Sequence, residues 1–173
     1  MRIFCIANQK GGVGKTTTAV NLAAGLARLG QRVLLVDLDP QGNATMGSGI
    51  DKRELELSVY DVLLESASVA EARRRSPQGG YDVLGANREL AGAEVELVGL
   101  ERRNERLRDA LAAASADHDF VLIDCPPSLS LLTLNGLCSA HGVFVPMQCE
   151  YFALEGLSDL VNTIKQVHAN LNR

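Results

Sequence analysis

A glycine-rich loop near the amino terminus constrains the fold of this chain more than any other feature. Residues Lys10–Thr17 read KGGVGKTT, and they follow Arg2–Asn8, an apolar run typical of a buried strand. From Lys15 onward apolar residues recur at helical spacing, and Gly30 supplies a stop signal for that helix. The sequence therefore predicts a strand, a tight glycine loop over Gln9–Gly14 and a helix in immediate succession.

Strand-like and helix-like segments alternate along the rest of the chain. The predicted strands are Arg32–Leu38, Tyr81–Ala86, His118–Asp124 and Gly142–Met147. The predicted helices are one capped by Ser58 and running to Glu65, then Glu94–Ala114, Leu129–Ala140 and Ala153–Leu171, while Pro40–Gly49 has the composition of a loop. Continuous apolar strands alternating with helices predict an α/β fold, with a mostly parallel sheet and helices on both faces. The length fits one domain over residues 1–173.

Composition limits the kinds of partner that this chain can bind. The net charge is −4, so the surface as a whole does not attract nucleic acid, and DNA binding would need a local basic patch. No apolar run approaches the roughly 20 residues of a membrane span, and no membrane association is expected. The four cysteines, Cys5, Cys125, Cys138 and Cys149, form no C-x-x-C pair. Buried free thiols in a reducing compartment are favoured over an iron–sulfur or zinc site.

The glycine loop has the chemistry of a phosphate-binding site. Glycines let successive backbone N–H groups turn toward phosphate oxygens, and the following helix adds its positive end. Lys15 would reach the β- and γ-phosphates, and the Thr16 hydroxyl would bind Mg²⁺. An ordinary glycine turn before a helix is the alternative, and the Gly-Lys-Thr ending argues against it. The predicted nucleotide-binding residues are Lys10, Gly11, Gly12, Val13, Gly14, Lys15, Thr16 and Thr17.

Carboxylates follow two of the predicted strands. Asp37 and Asp39 lie at the end of one strand, and Asp124 ends another. Ligands of parallel sheets bind beyond the carboxyl ends of the strands, so these residues and the glycine loop should converge on one edge. Taken alone, Asp39-Pro40 could equally open a turn, and Asp124 could simply end its strand.

Three segments together resemble the ParA/MinD family of ATPases. The general phosphate-loop pattern requires glycine where this chain has Gln9, but KGGVGKTT resembles the deviant Walker A loop of that family. Val36–Asn43 (VDLDPQGN) resembles its first switch segment, and Val121–Pro127 (VLIDCPP) resembles its Walker B strand and second switch. The resemblance continues through Glu150–Gly156 and is closest to the short chromosomal ParA, or Soj, type. It implies a P-loop NTPase-like fold.

The resemblance also assigns roles to individual residues. Lys10 is implied to reach the nucleotide of a partner subunit, although a solvated loop lysine would be the better interpretation of this residue alone. Asp39 is implied to orient the attacking water, a task that suits a carboxylate near the γ-phosphate. The expected catalytic residues are Lys10, Lys15 and Asp39, and the candidate Mg²⁺ ligands are Thr16, Asp39 and Asp124.

The function implied by the resemblance is chromosome or plasmid partition. ATP and Mg²⁺ would support a homodimer that coats DNA non-specifically, and a ParB-like partner would trigger slow hydrolysis to ADP. Such a protein acts in the cytoplasm, associated with the nucleoid. Two alternatives stay open. One is a P-loop kinase or ligase acting on a small molecule, against which the DPQGN segment argues. The other is an inactive truncated nucleotide-binding module.

Family members continue past the last predicted helix into further strands, whereas this sequence stops at Arg173. We therefore expect a domain that is incomplete at its C-terminus and lacks the family's last strands. Base-recognition residues and much of the DNA surface would be missing, so the choice between ATP and GTP is open. The basic clusters are Arg73–Arg75 and a helical set, Arg102, Arg103, Arg106 and Arg108. Acidic residues interleave with the second set, so weak DNA binding is expected.

Overall fold

The computed structural model describes residues 1–149 and 157–172. Its centre is a six-stranded sheet with the order β3-β4-β2-β5-β1-β6. The strands are β1 (Arg2–Ile6), β2 (Val33–Asp37), β3 (Arg74–Arg75), β4 (Asp82–Leu84), β5 (Phe120–Asp124) and β6 (Gly142–Phe144). All neighbouring strands pair in parallel except the short edge pair β3 and β4. The predicted mostly parallel α/β sheet is confirmed.

Helices connect these strands. They are α1 (Lys15–Arg28), α2 (Asn43–Gly47), α3 (Val59–Leu63), α4 (Val69–Ala72), α5 (Leu90–Val98), α6 (Arg106–Ala113), α7 (Leu131–Ser139) and α8 (Leu157–Asn170), with a short 3₁₀ turn at Lys52–Glu54. The predicted cap of α3 is present, because the Ser58 side chain accepts a hydrogen bond from the Tyr60 amide. The predicted start of the last helix at Ala153 and the segment Glu150–Gly156 lie outside the described residues.

Two of the predicted elements are wrong in detail. The helix expected over Glu94–Ala114 is two helices, α5 and α6, separated by a turn in which Arg102 has a φ of 51°. Its guanidinium bonds Glu105 and Asp109 and so stabilises this break. The loop expected over Pro40–Gly49 contains the short helix α2, which starts after Gly42 in the left-handed region.

Both faces of the sheet are buried, which explains the continuous apolar strands. Along β2, Leu34 and Val36 belong to one core cluster, whereas Val33 and Leu35 belong to the other. The first cluster is completed by apolar residues of α3, α5, α6 and α7, and the second by residues of α1 that include Ala19 and Ala23. The sheet is therefore covered by helices on both sides, as parallel sheets require.

Three of the cysteines are buried free thiols, as predicted, whereas Cys149 is exposed, so the prediction fails there. The sulfurs of Cys5 and Cys125 lie 3.1 Å apart in the core. Their hydrogen bond and burial raise the pKa of Cys125 well above its usual value. Within residues 1–149 and 157–172, no cluster of three or more His, Cys, Asp or Glu side chains is arranged to hold a metal ion. None of the described helices has both the length and the apolar character to cross a membrane.

Gly136→Ala should destabilise the protein. A Cβ at Gly136 in α7 would lie 2.9 Å from the Cys125 sulfur and 3.3 Å from a Leu38 methyl, both buried. This overpacking should lower the free energy of unfolding by about 1–3 kcal/mol, despite the better helix propensity of alanine. Gly25→Ala in α1 is the matched control, because nothing lies within 4 Å of its Cβ position. That variant should gain about 0.5–1 kcal/mol. Urea unfolding of both variants measures the difference, and equal effects would contradict the packing described here.

Candidate functional site

The glycine loop joins β1 to α1 through two left-handed residues. Gly12 has a φ of 73° and Gly14 a φ of 91°, and Gly14 is the N-cap of α1. A Cβ at either glycine would meet nothing within 4 Å, so backbone conformation and not crowding requires glycine. Among the described residues no side chain caps α1, and the first N–H groups of a helix lack intrahelical partners. The loop therefore presents the positive end of a helix, whose first amides lack intrahelical partners, to open space, which suits an anion.

The Lys15 ammonium is held close to this loop. Its Nζ donates a hydrogen bond to the backbone oxygen of Lys10 over 3.0 Å, and the residue is only 8% exposed. Burial lowers the pKa of Lys15, while the charges of Asp124 and Asp39 act in the opposite direction. A cation that is largely desolvated before any ligand arrives interacts strongly with phosphate oxygens. The position of Lys15 fits the role predicted for it.

Thr16 and Asp124 meet directly below the loop. The Thr16 hydroxyl donates a 2.7 Å hydrogen bond to Oδ2 of Asp124, a residue that is 1% exposed. Oδ1 of Asp124 is buried and has no hydrogen-bond partner among the described residues. A hydroxyl and a carboxylate with a free oxygen form the oxygen donor set that Mg²⁺ prefers. The predicted pair of metal ligands is brought together, and its unpaired oxygen fits a cation.

The carboxylate of Asp124 lies in a strongly perturbed environment. Burial raises its pKa to about 7, and the charges of Asp37 and Asp39 add to this effect. The hydrogen bond from Thr16 and the charge of Lys15 partly oppose it. A divalent cation beside Asp124 would favour the ionised carboxylate and offset the cost of its burial. The electrostatics therefore agree with the unpaired oxygen.

Asp39 both forms a turn and lines a cleft against the glycine loop. Its Oδ1 accepts a hydrogen bond from the Gln41 amide and its backbone oxygen accepts one from the Gly42 amide, so Asp39-Pro40 does form a turn. The same residue lines a cleft of about 330 Å³ against the glycine loop. The cleft is lined by Gly11, Gly12, Gly14, Lys15, Thr16, Thr17, Asp39, Asn43 and Pro127. The structure thus brings Asp39 to the loop, as the sequence predicted.

Two loop residues predicted to bind nucleotide lie apart from this lining. Lys10 is exposed, and it contributes its backbone oxygen to Lys15. Val13 is 8% exposed and belongs to the core, so only its backbone can face a ligand. The side chain of Val13 therefore has a structural role in the core. The exposure of Lys10 suits a side chain that acts outside its own cleft.

Side chains that hold the loop in place, Asn8 and Gln148, carry no signal in the sequence. The Asn8 side chain accepts a hydrogen bond from the Lys10 amide and donates one to the Pro146 oxygen over 2.8 Å. Gln148 donates to the Gly12 oxygen over 3.3 Å. The bonds of Asn8 to Pro146 and of Gln148 to Gly12 join residues more than 130 positions apart, so no local sequence pattern predicts them. Asn43 and Pro127 were within recognised motifs but had no role assigned.

A glycine loop between a strand and a helix, with a lysine, a hydroxyl and a strand-end carboxylate around one cleft, defines a P-loop NTPase-like protein. The chain matches the AAA_31 family model, described as an AAA domain, over residues 1–173. It is 54% identical to the sporulation initiation inhibitor protein Soj of Bacillus subtilis, over 99% of this chain and 68% of that protein. The chain belongs to the ParA/Soj-type family.

Two other similarities bear on the site. An uncharacterised protein of Pseudomonas putida is 61% identical over 99% of this chain and 65% of its own length. A structure named cobyrinic acid a,c-diamide synthase, from Mycobacterium smegmatis, contains a bound ATP analogue and magnesium. It is 48% identical with a TM-score of 0.96, over 99% of this chain and 70% of that one. The chain thus spans about two thirds of the length of the curated relatives it matches.

Asp124→Asn should change the pH dependence of stability in the metal-free protein. Burial raises the pKa of Asp124 from 3.8 to about 7, so the folded state binds this proton more tightly than the unfolded state. The resulting stabilisation is full below the unfolded value and is lost as the pH rises through about 7. The variant lacks this titration. Between about pH 5.5 and about pH 8 its free energy of unfolding should rise by about 1–2 kcal/mol relative to the wild type.

Denaturant unfolding in the presence of a chelator measures this difference. Asp51→Asn is the control, because the hydrogen bond from Arg53 lowers the pKa of Asp51 to about 2. That group is ionised in both states over the whole range, so its curve should run parallel to the wild type. A parallel curve for Asp124→Asn as well would show that the carboxylate is not perturbed as described.

Proposed function

We propose that this chain binds ATP with Mg²⁺ in the cleft at the glycine loop and hydrolyses it slowly, as a partition-type ATPase. The observation that carries the proposal is the direct bond between Thr16 and Asp124 beside the desolvated Lys15. These three side chains supply the metal ligands and the cation that a bound triphosphate requires. The bound ATP analogue and magnesium in the Mycobacterium smegmatis structure support the same choice of ligand.

In this proposal the loop and Lys15 hold the phosphates. Backbone amides at the start of α1 bind phosphate oxygens, and the Lys15 ammonium exchanges its bond to the Lys10 oxygen for the β- and γ-phosphates. Thr16 and Asp124 hold Mg²⁺, with Asp39 as a further candidate ligand. Bound Mg²⁺ would neutralise charge that develops on the phosphates. The groups that line the cleft recognise phosphate and metal rather than a base.

Asp39 and Lys10 are assigned to the hydrolytic step. Asp39 lines the cleft next to the loop, where its carboxylate can orient a water or accept its proton. Lys10 is exposed at the rim, and the family resemblance implies that it contacts the nucleotide of a second copy of the chain. Such a lysine would stabilise transferred charge as an arginine finger does. ATP-dependent dimerisation is therefore part of the proposal.

The proposed partners are a ParB-like protein and non-specific DNA, encountered in the cytoplasm at the nucleoid. Relatives named chromosome partitioning protein ParA and chromosome-partitioning ATPase Soj support a role in partition systems. The arginine clusters of this chain argue for weak DNA binding. Arg73 pairs with Asp117 over 3.0 Å, and Arg102 and Arg108 each pair with Glu105 over 2.9 Å. Guanidinium groups already paired with carboxylates add little to phosphate binding.

A small-molecule ligase or kinase is the second candidate function, since one similar structure bears the name of a diamide synthase. Such an enzyme needs a pocket for its acceptor beside the γ-phosphate. Over the described ranges, 1–149 and 157–172, the cleft is lined by the glycine loop, Asp39, Asn43 and Pro127, and by no further side chains on which an acceptor could be recognised. Release of inorganic phosphate from ATP without any added acceptor would separate hydrolysis from this alternative.

Lys15→Ala should strongly weaken the binding of Mg·ATP. Removal of one partner from a desolvated charge pair costs about 2–5 kcal/mol, which is a loss of roughly 30-fold to several thousand-fold in affinity. Lys10→Ala is the matched control within the same loop, and it should keep the affinity of the monomer within about threefold because Lys10 is assigned to another copy's nucleotide. Calorimetric titration of both variants decides the matter. Unchanged affinity in Lys15→Ala would refute the assignment of this loop.

A further inference from the structure

The carboxylate of Asp37 is buried and closes the segment that carries Asp39. Its Oδ1 accepts a hydrogen bond from the Asp39 amide over 3.1 Å. Its Oδ2 accepts bonds from the amide and the hydroxyl of Thr45, over 2.9 Å and 2.8 Å. One side chain therefore binds both ends of residues 39–45. Asp37 is not among the residues that line the cleft, so its role in this structure is to accept these hydrogen bonds.

Thr45 connects that segment to a different strand. While its hydroxyl donates to Asp37, the same oxygen accepts a hydrogen bond from the Ala86 amide over 2.9 Å. Ala86 follows β4 (Asp82–Leu84), which pairs with β2. Thr45 is completely buried, so neither bond can be replaced by bulk water. A single hydroxyl thus links the ends of two strands through the Asp39 segment.

Residues 39–45 pack closely against the end of β4 around the Thr45 hydroxyl. A Cβ at Gly42 would lie 2.6 Å from the Ala86 backbone oxygen, and Gly42 has a φ of 61°. A Cβ at Gly85 would lie 3.0 Å from the Thr45 methyl carbon. Both glycines let the Asp39 segment approach the β4 end closely. Backbone contact on one side and the Asp37 bonds on the other hold the turn at Asp39.

We infer that Thr45, acting through Asp37 and Ala86, is a positioning residue that fixes the Asp39 carboxylate against the glycine loop. This inference rests on the proposed function, in which Asp39 orients the attacking water. The Thr45 hydroxyl bonds Asp37 and Ala86, and Thr45 is not among the residues that line the cleft at the glycine loop. Its loss should therefore affect hydrolysis more than nucleotide binding. A misplacement of a catalytic group by about 1 Å can cost about 100-fold in rate.

The test compares Thr45→Val with Thr45→Ser. Valine keeps the shape of threonine but removes the hydroxyl, whereas serine keeps the hydroxyl and removes the methyl group. Thr45→Val should lower kcat for ATP hydrolysis by about 10- to 100-fold with KM within about threefold. Thr45→Ser should retain kcat within about threefold of the wild type. Equal kcat in wild type and Thr45→Val, or equal losses in both variants, would overturn the inference.

Hydrogen exchange in the nucleotide-free protein provides a readout that does not depend on activity. The amides of Asp39 and Ala86 should exchange faster in Thr45→Val, by about fivefold or more, and at the wild-type rate in Thr45→Ser. If the wild type hydrolyses no ATP, the proposed function fails, and the exchange rates alone still decide whether Thr45 holds this segment. Unchanged exchange at both amides in Thr45→Val would overturn the inference.

Asp37→Asn keeps the test decisive if Thr45→Val fails to fold. Its side chain has one acceptor oxygen where Asp37 has two, so an amide group must face either the Asp39 amide or the Thr45 amide. One end of the segment should be released, with faster exchange there and reduced kcat. Wild-type exchange and wild-type kcat in Asp37→Asn would contradict the positioning role.

Discussion

Two buried carboxylates stand side by side at the carboxyl ends of neighbouring strands, and the site is arranged around them. Asp37 and Asp124 are register partners in β2 and β5, and burial raises the pKa of Asp37 to about 6 and that of Asp124 to about 7. The Asp37 carboxylate accepts hydrogen bonds from the Asp39 amide and from Thr45. Asp124 accepts a hydrogen bond from Thr16, and its Oδ1 has no partner within the described part of the chain. Asp37 therefore holds the Asp39 segment in place, and Asp124 has an oxygen that is available to a metal.

The central strands could be predicted because their continuous apolar sequences must be buried on both faces. Continuous apolar runs such as Leu34–Val36 must be covered on both faces, which a parallel sheet between helices provides. The break between α5 and α6 was not predictable from periodicity, since Arg102 adopts its left-handed conformation with help from Glu105 and Asp109. The edge strand Arg74–Arg75 has no apolar signature, because its side chains are exposed and one pairs with Asp82.

The chemical part of the site was predictable for a different reason. Phosphate and Mg²⁺ demand particular groups at fixed places on a strand, a loop and a helix, so Lys15, Thr16 and Asp124 can be identified from local motifs. The residues that hold the site in place, such as Asn8 and Thr45, do not have to be of a particular type at a fixed position. Asn8 meets Pro146 and Thr45 meets Ala86 only because the sheet brings distant segments together. Any residue with a suitable donor or acceptor could serve there, which is why sequence patterns did not reveal them.

The central claim is that this chain recognises its ligand through phosphates and metal. Displacement of a fluorescent ATP analogue measures this most directly, with inorganic tripolyphosphate and adenosine as competitors in the presence of Mg²⁺. The cleft offers loop amides, Lys15 and the Thr16–Asp124 pair. Tripolyphosphate should therefore displace the analogue, and adenosine at the same concentration should not. Displacement by adenosine together with no effect of tripolyphosphate would contradict this account.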